Sequence, residues 1–600
     1  MQSDPVNGAI ASTHYLATEA GAQILRDGGN AFDAAVAAGL VLQVVEPHLN
    51  GPGGDLPAIL WKDGKATVLC AQGAAPAGAT IAHYRVQGLE LIPGDGLLAT
   101  VIPGAFDGWM LMLRDHGTME LAEIMAPAID LAANGHVMLD RAVDTIAGLA
   151  DFFREHWPSS AAVWAPNGKL PEKGALFTNP DLAATWQRVV AEAQGPTREA
   201  RIDAARDCFY RGFIAERIGA FCAETKAMDA SGTLHAGVLT ATDMAGYAAH
   251  FEAPQTFDYH GWTIAKTGPW GQGPVLLQTL ALLAGDNLAA LDPLGPEFAH
   301  LVIEAQKLAL ADREIYYTDP DHAPVPMDGL LSTAYNSTRR ALIGEKADHD
   351  LRPGVLDGFA PQVAQVQAML DRLSLPEGAV YEPTMAHLAT APRGDTVHLD
   401  VIDRHGNMVS ATPSGGWLQS SPIVAGLGFC LNSRAQMYWL DEAAVGALAP
   451  GKRPRTTLSP SLAWHRDGRR ISFGTPGGDQ QDQWQLLFWL RHVHHGMDLQ
   501  QAADAPMFHT THMPASFYPR SRQPGGVVAE DNLPEATLRA LEAAGHIVTR
   551  VPAGSVGRIT TAARGADGRL SAAATMRTPH GRAIVLGDET TASPNARPRR

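Results

Sequence analysis

Two short runs of alternating residues, joined by a turn, lie about two-thirds of the way along the chain. The runs are Thr396–Ile402 and Met408–Thr412, and the residues between them read "DRHGN". A period of two places apolar side chains on one face of a strand, and the Gly-Asn pair is typical of a tight turn. The segment therefore predicts a β-hairpin that must bury one face against a second layer of structure.

Helical and strand patterns come in blocks along the rest of the sequence. Near the N-terminus two helices are predicted on either side of Gly28–Gly29, with Asn30 capping the second and Asp33 in its first turn. After the hairpin, strands are predicted at residues 423–432 and in "TTLSPSLAWHRDGRRISFG", followed by a helix in "DQWQLLFWLRHVHHG". Because helices and strands do not alternate strictly, the expected fold class is α+β with layers.

The composition restricts the partners of the chain. The formal net charge is −17, from 63 acidic and 46 basic residues, and such a surface repels nucleic acid and anionic membranes. No run of about 18 apolar residues occurs, so no membrane span is expected. The first residues lack the basic flank and apolar run of a signal peptide, so a cytoplasmic location is expected, with periplasmic export left open. We therefore expect a small-molecule substrate, with neither nucleic acid nor membrane as a partner.

Several common catalytic motifs are missing from the sequence. It lacks GxSxG, GxxxxGK[ST] and HExxH, which would indicate a serine hydrolase, a phosphate-binding loop and a zinc protease. Two histidine groups, "HVHH" at 492–495 and "HTTH" at 509–512, have no clear acidic or thiolate partner. A helix end and a polar loop explain these histidines better than a metal site, so no metal is expected.

The threonine that opens the hairpin suggests a different chemistry. A threonine hydroxyl is a weak nucleophile, but a threonine at the N-terminus of a chain has its own α-amine as a base. A free α-amine has a pKa of about 7.7–8.0, which suits proton transfer near neutral pH. For Thr396 this chemistry requires cleavage of the Asp395–Thr396 bond. Taken alone, the stretch is better explained as a strand that begins with a β-branched residue.

Further blocks in the sequence change that balance. Before Thr396 stand "GGNAFDAAVAAGLVLQVVEPH", "GVLTATDMAGY" and "EAQKLALADR", and from it onward stand "GDTVHLDVIDRHGNMVS", "GKRPRTTLSPSLAW" and "GTPGGDQQDQW". Together, from about residue 8 to 588, these blocks resemble the γ-glutamyltransferase family of N-terminal-nucleophile hydrolases.

This resemblance implies a four-layer αββα sandwich. It implies self-cleavage between Asp395 and Thr396 into a large subunit, residues 1–395, and a small subunit, residues 396–600, which interlock in one αββα unit. It also implies an acyl-enzyme on the new N-terminal threonine, an amide or peptide substrate and no cofactor. Assembly of the processed units into a higher oligomer stays open.

Matching positions assign the catalytic groups that the resemblance implies. Thr396 matches the nucleophile, and Ser414 falls where the family usually has a threonine that hydrogen-bonds to the nucleophile. Gly477 and Gly478 match the glycine pair that lines the oxyanion hole. Glycine suits that role because, without a Cβ, its backbone N–H can approach a developing oxyanion.

The substrate-binding positions depart from the family pattern. Thr456 and Thr457 match paired hydroxyl residues that help to hold the substrate carboxylate. Gln72 replaces an arginine that clamps the glutamyl α-carboxylate, and glutamine cannot supply a charged, bidentate fork. Arg434 and Met437 replace a polar pair that receives the glutamyl α-amine. We expect Arg434 either to bind a carboxylate of a different acyl group or to form a surface or intersubunit salt bridge.

The leading hypothesis is a self-processing amidohydrolase of this family that acts on a carboxylate-bearing amide rather than on a standard γ-glutamyl group. The alternatives are a genuine glutathione hydrolase or transpeptidase with rebuilt substrate contacts, and an oxamate amidohydrolase or cephalosporin-type acylase. A fourth hypothesis is an unprocessed, inactive binding protein on the same fold. One band or two on a denaturing gel separates this last hypothesis from the others.

Overall fold

The computed structural model describes residues 8–378, 396–577 and 580–587, so the predicted cleavage residue Asp395 lies outside the described part. The α-helices before the hairpin are α1 (Tyr15–Arg26), α2 (Ala31–Val45), α3 (Ile81–Val86), α4 (Ala105–His116), α5 (Leu121–Asn134), α6 (Asp140–His156), α7 (Pro158–Trp164), α8 (Pro180–Glu192), α9 (Arg198–Tyr210), α10 (Phe213–Glu224), α11 (Ala241–Ala245), α12 (Pro274–Leu283), α13 (Pro296–Tyr316), α14 (Met327–Leu330), α15 (Thr333–Arg340) and α16 (Ala360–Arg372). Those after it are α17 (Gln481–His495), α18 (Leu499–Asp504) and α19 (Glu535–Ala544).

The β-strands occur on both sides of position 396. Those before it are β1 (Gly8–Ser12), β2 (Leu56–Lys62), β3 (Lys65–Ala71), β4 (His136–Val137), β5 (Leu176–Phe177), β6 (Lys226–Met228), β7 (Leu234–Ala236), β8 (His250–Glu252), β9 (Gln255–Tyr259) and β10 (Trp262–Lys266). Those after it are β11 (Leu399–Ile402), β12 (Met408–Ala411), β13 (Ser461–His465), β14 (Arg470–Gly474), β15 (Phe508–Thr510), β16 (Gly526–Glu530), β17 (Ile547–Val551), β18 (Thr560–Arg564), β19 (Leu570–Ala574) and β20 (Arg582–Leu586).

Local signals in the sequence predicted several of these elements correctly. β11 and β12 form the expected antiparallel hairpin, and β13 and β14 form the second one. Asn30 caps α2, and Asp33 returns the hydrogen bond to the backbone of Asn30 in a capping box. The strand predicted at residues 423–432 is wrong. There the chain folds back between Val424 and Phe429, because Gly426 and Gly428 adopt φ values of 81° and 76°.

Two antiparallel sheets form the centre of the molecule. The seven-stranded sheet has the order β20-β1-β11-β12-β2-β3-β8, and the six-stranded sheet has the order β19-β18-β14-β13-β10-β9. Strands from before and after position 396 are neighbours in both sheets, as in the pairs β1–β11 and β10–β13. The two segments of the chain therefore share each sheet.

Side chains alternate between two cores along the seven-stranded sheet. In β2, Ala58 and Leu60 pack in a large apolar cluster with α1, α2 and α4, whereas Ile59 and Trp61 pack against the six-stranded sheet. The other face of the six-stranded sheet, including Phe473, packs in a further apolar cluster with α12, α13 and α17. Within the described part of the chain, no helix is long and apolar enough to cross a membrane.

Candidate active site

Thr396 lies three residues before β11, at the end of the seven-stranded sheet. It forms an isolated antiparallel bridge with Ser414, and its Oγ1 donates a hydrogen bond to Ser414 Oγ over 3.2 Å. Only 3% of Thr396 is exposed. The structure thus brings together the two hydroxyl groups that were predicted to act at one centre.

A glycine-rich loop between α2 and β2 packs against the backbone of Ser414. A Cβ at Gly54 would lie 2.1 Å from the carbonyl oxygen of Ser414, and a Cβ at Gly53 would lie 2.2 Å from that of Cys430. The next residue, Asp55, pairs with Ser414 through two backbone hydrogen bonds of 2.8 and 3.1 Å. Only glycine permits so close an approach, and the approach brings Asp55 beside the Thr396–Ser414 pair.

Arg434 forms a buried ion pair with Asp55. Its Nε lies 2.9 Å from Asp55 Oδ2, its Nη2 lies 3.2 Å from Oδ1, and both side chains are 1% exposed. Burial raises the pKa of Asp55, and the adjacent guanidinium opposes that shift. The pair joins the predicted large subunit to the predicted small one, but it lies in the interior and not at the surface. Of the two salt bridges that the sequence left open, the pair is therefore the one between the predicted subunits and not the surface one.

The atoms of Arg434 that do not contact Asp55 face a partly aromatic environment. The guanidinium carbon lies 5.1 Å from the ring centre of Trp417. Within the described chain, the guanidinium hydrogen bonds use Nε and Nη2 and leave Nη1 without a partner. Trp417 packs with Met437 and Phe517 in a small, buried apolar cluster.

Gln72 follows β3 directly. Leu56 pairs with Ala71 in the sheet, so Asp55 and Gln72 stand next to each other beyond the paired ends of β2 and β3. Gln72 is 2% exposed, and its Oε1 has no hydrogen-bond partner among the described residues. The position that the family fills with a cation thus holds a buried, neutral amide.

Gly477 and Gly478 form the turn between β14 and α17. The end of β14 packs on the chain next to Thr396, since a Cβ at Gly474 would lie 2.2 Å from the ring of His398. Gly477 and Gly478 have φ values of 129° and 52°, and neither N–H donates a hydrogen bond to a described residue. This turn thus has two unused backbone donors, and their role as an oxyanion hole stays a prediction.

Thr456 and Thr457 lie on the chain that leads into β13. The backbone of Thr456 bonds to Trp270 and Gln272, which fixes this segment beside β10. Thr457 is 1% exposed, and its Oγ1 has no partner among the residues that the structure describes. A buried hydroxyl without a partner loses its hydration without replacement, and the role of Thr457 in holding a substrate carboxylate stays a prediction.

Two residues that the sequence did not single out touch this centre. Asp55 pairs with both Arg434 and Ser414, as described above. Gln481, the first residue of α17, lies with its Nε2 3.5 Å from Thr396 Oγ1. Gln481 belongs to the block "GTPGGDQQDQW", but a linear pattern does not reveal which side chain in a block faces a distant residue.

Potential metal ligands elsewhere contact protein groups. His494 Nε2 lies 2.8 Å from the Tyr259 hydroxyl, and His512 Nδ1 accepts the N–H of Gly525. Cys70, His250 and Glu252 place donor atoms within 4.8 Å of one another, the one such group among the described residues. However, Arg453 Nη1 lies 3.3 Å from Cys70 Sγ and 3.8 Å from Glu252, and this fixed cation opposes a metal ion there.

Comparison with known proteins gives a consistent result. The family model described as Gamma-glutamyltranspeptidase matches residues 17–585. The chain is 32% identical over 588 residues to the Acylase ACY 1 proenzyme of Pseudomonas sp. (strain SE83), covering 95% of this chain and 92% of that protein. It is 30% identical over 530 residues to the Glutathione hydrolase proenzyme of Pseudomonas sp. (strain A14), and the match covers 85% of this chain and 82% of that protein. It is 30% identical over 510 residues to the Oxamate amidohydrolase proenzyme of Klebsiella pneumoniae subsp. pneumoniae, covering 83% and 84%.

Two solved structures extend the likeness to the fold. LmbA2991HD is 47% identical with a TM-score of 0.88, and the match covers 97% of this chain and 98% of that one. The cephalosporin acylase from Bacillus halodurans is 28% identical with a TM-score of 0.80, and the match covers 97% and 96%. Both matches span nearly complete chains, so the α+β arrangement described above is common to all three proteins.

Proposed function

The chain belongs to the gamma-glutamyltranspeptidase family, with the N-terminal-nucleophile hydrolase fold, and on that premise we propose that it is a self-processing amidohydrolase with Thr396 as its nucleophile. The observation that supports this most directly is the position of Thr396. Its buried hydroxyl lies between Ser414 Oγ at 3.2 Å and Gln481 Nε2 at 3.5 Å, beside a turn with two unused backbone donors.

Maturation is the first step of the proposal. Cleavage of Asp395–Thr396 divides the chain into residues 1–395 and 396–600, and it creates the α-amine that the mechanism needs. The three curated relatives described above are proenzymes, which implies a precursor that is cleaved into a large and a small subunit. The two subunits together form the proposed four-layer αββα unit, which the two central sheets and the helical clusters on their outer faces support.

The chemical steps follow from the groups around Thr396. Its α-amine accepts the Oγ1 proton as Oγ1 attacks the amide carbonyl, and the Gly477 and Gly478 N–H groups stabilise the oxyanion. The C–N bond then breaks, and the departing amine takes the proton from the α-ammonium. In the second half of the reaction, water attacks the ester and its proton passes to the α-amine. The Oγ1–C bond then breaks, which releases the acid and restores the Thr396 hydroxyl. Apart from the attacking water, every group in these steps belongs to the protein or the substrate.

The surroundings of the site disfavour a substrate ammonium group. Met437 lies in an apolar cluster with Trp417 and Phe517, and a thioether cannot neutralise a cation. The neighbouring carboxylate, Asp55, is already paired with Arg434. A γ-glutamyl α-amine would therefore lose its charge-assisted contacts, each worth about 1.5–3 kcal/mol.

The same surroundings favour a carboxylate on a short aliphatic chain. Arg434 Nη1 and Thr457 Oγ1, which have no partners among the described residues, are donors suited to a carboxylate. The apolar cluster next to Arg434 suits methylene groups, which oxamate lacks. We therefore propose a dicarboxylic monoamide, such as a glutaryl amide, as the substrate class.

A matched pair of substrates tests this choice. Glutaryl 4-nitroanilide and γ-glutamyl 4-nitroanilide differ only by the α-ammonium group, and we expect kcat/KM to be at least about tenfold higher for the glutaryl compound. Oxamate and glutathione complete the panel. A preference for the γ-glutamyl compound or glutathione would support a glutathione hydrolase, and a preference for oxamate would support an oxamate amidohydrolase.

Processing tests the assignment of the nucleophile separately. Terminal sequencing of the purified protein should find a small subunit that begins Thr-Val-His-Leu-Asp. Thr396→Ala should remain a single chain without activity, whereas Thr396→Ser should retain part of both functions. A wild-type chain that stays whole and hydrolyses none of the panel would support the inactive binding protein, and a whole chain that is active would refute the mechanism.

A further inference from the structure

The side-chain amide of Gln481 has a fixed orientation. Its Oε1 accepts a hydrogen bond from the backbone N–H of Ser459 over 3.0 Å, and a backbone N–H can only donate. The Nε2 group must therefore be the part that faces Thr396 Oγ1, at 3.5 Å. The Thr396 oxygen thus has a donor on the Gln481 side, while its own proton points to Ser414.

A buried ion pair secures this orientation. Lys266 Nζ lies 3.0 Å from Asp482 Oδ1, and Ser459 Oγ donates to the same oxygen over 2.6 Å. Gln485 Nε2 donates to the carbonyl oxygen of Ser459 over 2.8 Å, so Ser459 is held on both sides. Lys266 is fully buried and Asp482 is 2% exposed. Burial lowers the pKa of Lys266 and raises that of Asp482, and each charge opposes the shift of the other.

Such a pair is not explained by stability alone. Buried ion pairs are seldom more stabilising than apolar residues of similar volume, because both ions lose their hydration. This pair does have a geometric effect, since it fixes Ser459 and thereby the amide of Gln481. A continuous chain of hydrogen bonds runs from Lys266 through Asp482, Ser459 and Gln481 to the nucleophile.

We propose that Gln481 is a further catalytic residue, whose amide N–H stabilises negative charge on the Thr396 oxygen, and that Lys266 and Asp482 are positioning residues that hold it. The proposal rests on Thr396 being the nucleophile. In acylation, charge develops on Oγ1 as its proton moves to the α-amine and the Oγ1–C bond forms. In deacylation, charge returns as the Oγ1–C bond breaks and the proton comes back from the α-ammonium. Gln481 transfers no proton in either step.

The first experiment replaces Gln481 with a residue that cannot donate a hydrogen bond or with one that accepts it. Gln481→Leu should lower kcat for glutaryl 4-nitroanilide about ten- to a hundredfold with little change in KM, because the lost contact is to the reacting oxygen and not to the acyl group. Self-processing should slow by a similar factor, since the same oxygen attacks. Gln481→Glu places a hydrogen-bond acceptor beside Thr396 Oγ1. The activity of this variant should recover as the pH falls and the new carboxyl becomes protonated. A packing defect would not change the pH profile in this way.

A matched control lies two residues further along α17. Gln483 is also buried, but its amide bonds to the backbone N–H and carbonyl oxygen of Thr510. Gln483→Leu removes the same group from the same helix, and we expect it to leave kcat within about twofold when the protein is folded. Thermal unfolding of each variant shows whether the fold is intact.

A double variant tests the role of the ion pair. If Asp482 acts only through Gln481, then Asp482→Asn should lower kcat in the wild type but add almost nothing in Gln481→Leu. Independent, multiplying effects would refute the positioning role. A folded, processed Gln481→Leu variant with wild-type kcat would refute the catalytic role. Neither result affects the proposed function, which fails separately if Thr396→Ala is still cleaved and active.

Discussion

At the scale of single residues, the site is a set of contacts around one threonine oxygen. Ser414 and Gln481 contact Thr396 Oγ1 from different segments of the chain. Ser414 also connects this oxygen to Arg434, the proposed acyl-binding residue, because its backbone pairs with Asp55, which binds Arg434. Single substitutions at these positions therefore affect either the chemistry or the choice of substrate.

Ser414 belongs to the first of these groups. Ser414→Ala removes a neutral hydrogen bond of the nucleophile, and such bonds contribute about 0.5–1.5 kcal/mol, so kcat should fall about two- to tenfold. Ser414→Thr keeps the hydroxyl and should keep most of the activity. Steady-state kinetics of the processed variants measure both effects, and an unchanged kcat in Ser414→Ala would show that this contact has no role in the chemistry.

Arg434 belongs to the second group. Arg434→Ala leaves Asp55 buried without its counter-charge, so we expect a loss of about 3–5 kcal/mol in the free energy of unfolding. Asp55→Asn combined with Arg434→Gln removes both charges and should recover most of that stability. The double variant should still have a raised KM for glutaryl 4-nitroanilide. Chemical denaturation and kinetics separate the two effects, and a double variant with normal KM would exclude Arg434 from substrate binding.

At the scale of elements, α17 begins beside the proposed nucleophile, Thr396. The turn that precedes it holds Gly477 and Gly478 in conformations that are unfavourable for other residues, and its first residue contacts Thr396. The N-terminal end of a helix is suited to such a role, because its first backbone N–H groups are not used within the helix. The two ends of α17 therefore offer a matched comparison.

Gly477→Ala tests the turn. The added Cβ would lie 2.1 Å from the ring of Trp484, so the turn must move, and loss of an oxyanion donor typically costs about 10²–10³ in kcat. Gly496 ends the same helix with a φ of 64° and open space at the Cβ position. Gly496→Ala should thus share the backbone strain but leave kcat unchanged. Equal activity of the two variants would contradict the assignment of Gly477.

The C-terminal end of α2 makes stability depend on pH. Burial raises the pKa of Glu46 from 4.5 to about 7, so the folded state binds a proton that the unfolded state releases in this interval. This proton binding stabilises the folded state, and the stabilisation is fully present below about pH 4.5. It is lost as the pH rises through 7, and the free energy of unfolding falls by about 3 kcal/mol in total. Glu46→Gln imitates the protonated form and should be more stable than the wild type at pH 8 but not at pH 4. Urea unfolding at both pH values measures this, and a constant difference would exclude Glu46 as the cause.

At the scale of the whole molecule, the two predicted subunits are interleaved. β1 and β2 of the large subunit pair with β11, β12 and β20 of the small one in a single sheet. Backbone hydrogen bonds of adjacent strands therefore cross the boundary several times, as in the pairs β1–β20 and β12–β2. Cutting the chain before Thr396 breaks none of these pairs.

This interleaving predicts that processing does not separate the subunits. We expect the cleaved protein to elute as one species in size-exclusion chromatography and to run as two bands on a denaturing gel. Separation should require denaturant and should coincide with the loss of β structure measured by circular dichroism. Two separate peaks under native conditions would contradict the shared sheets.

The sequence by itself determined the local elements and predicted the segment that carries the nucleophile. The β11–β12 hairpin, the Asn30 cap of α2 and α17 follow from alternation, capping chemistry and helical periodicity, which depend on neighbouring residues. The prediction failed at residues 423–432, where glycines with positive φ reverse a chain of apolar residues. The family resemblance also assigned Thr396, Gly477 and Thr457 to one site, and that assignment stays a prediction.

Only the tertiary structure decided what surrounds these residues. Asp55 and Arg434 are 379 residues apart in the sequence, and Thr396 and Gln481 are 85 apart, yet both pairs are in contact. The sequence left open whether Arg434 binds a substrate carboxylate or a protein carboxylate, and folding places Asp55 against it. Contacts of this kind depend on how sheets and loops pack over long separations, and no local pattern records that packing, whereas periodicity and capping are local and can be read directly from the chain.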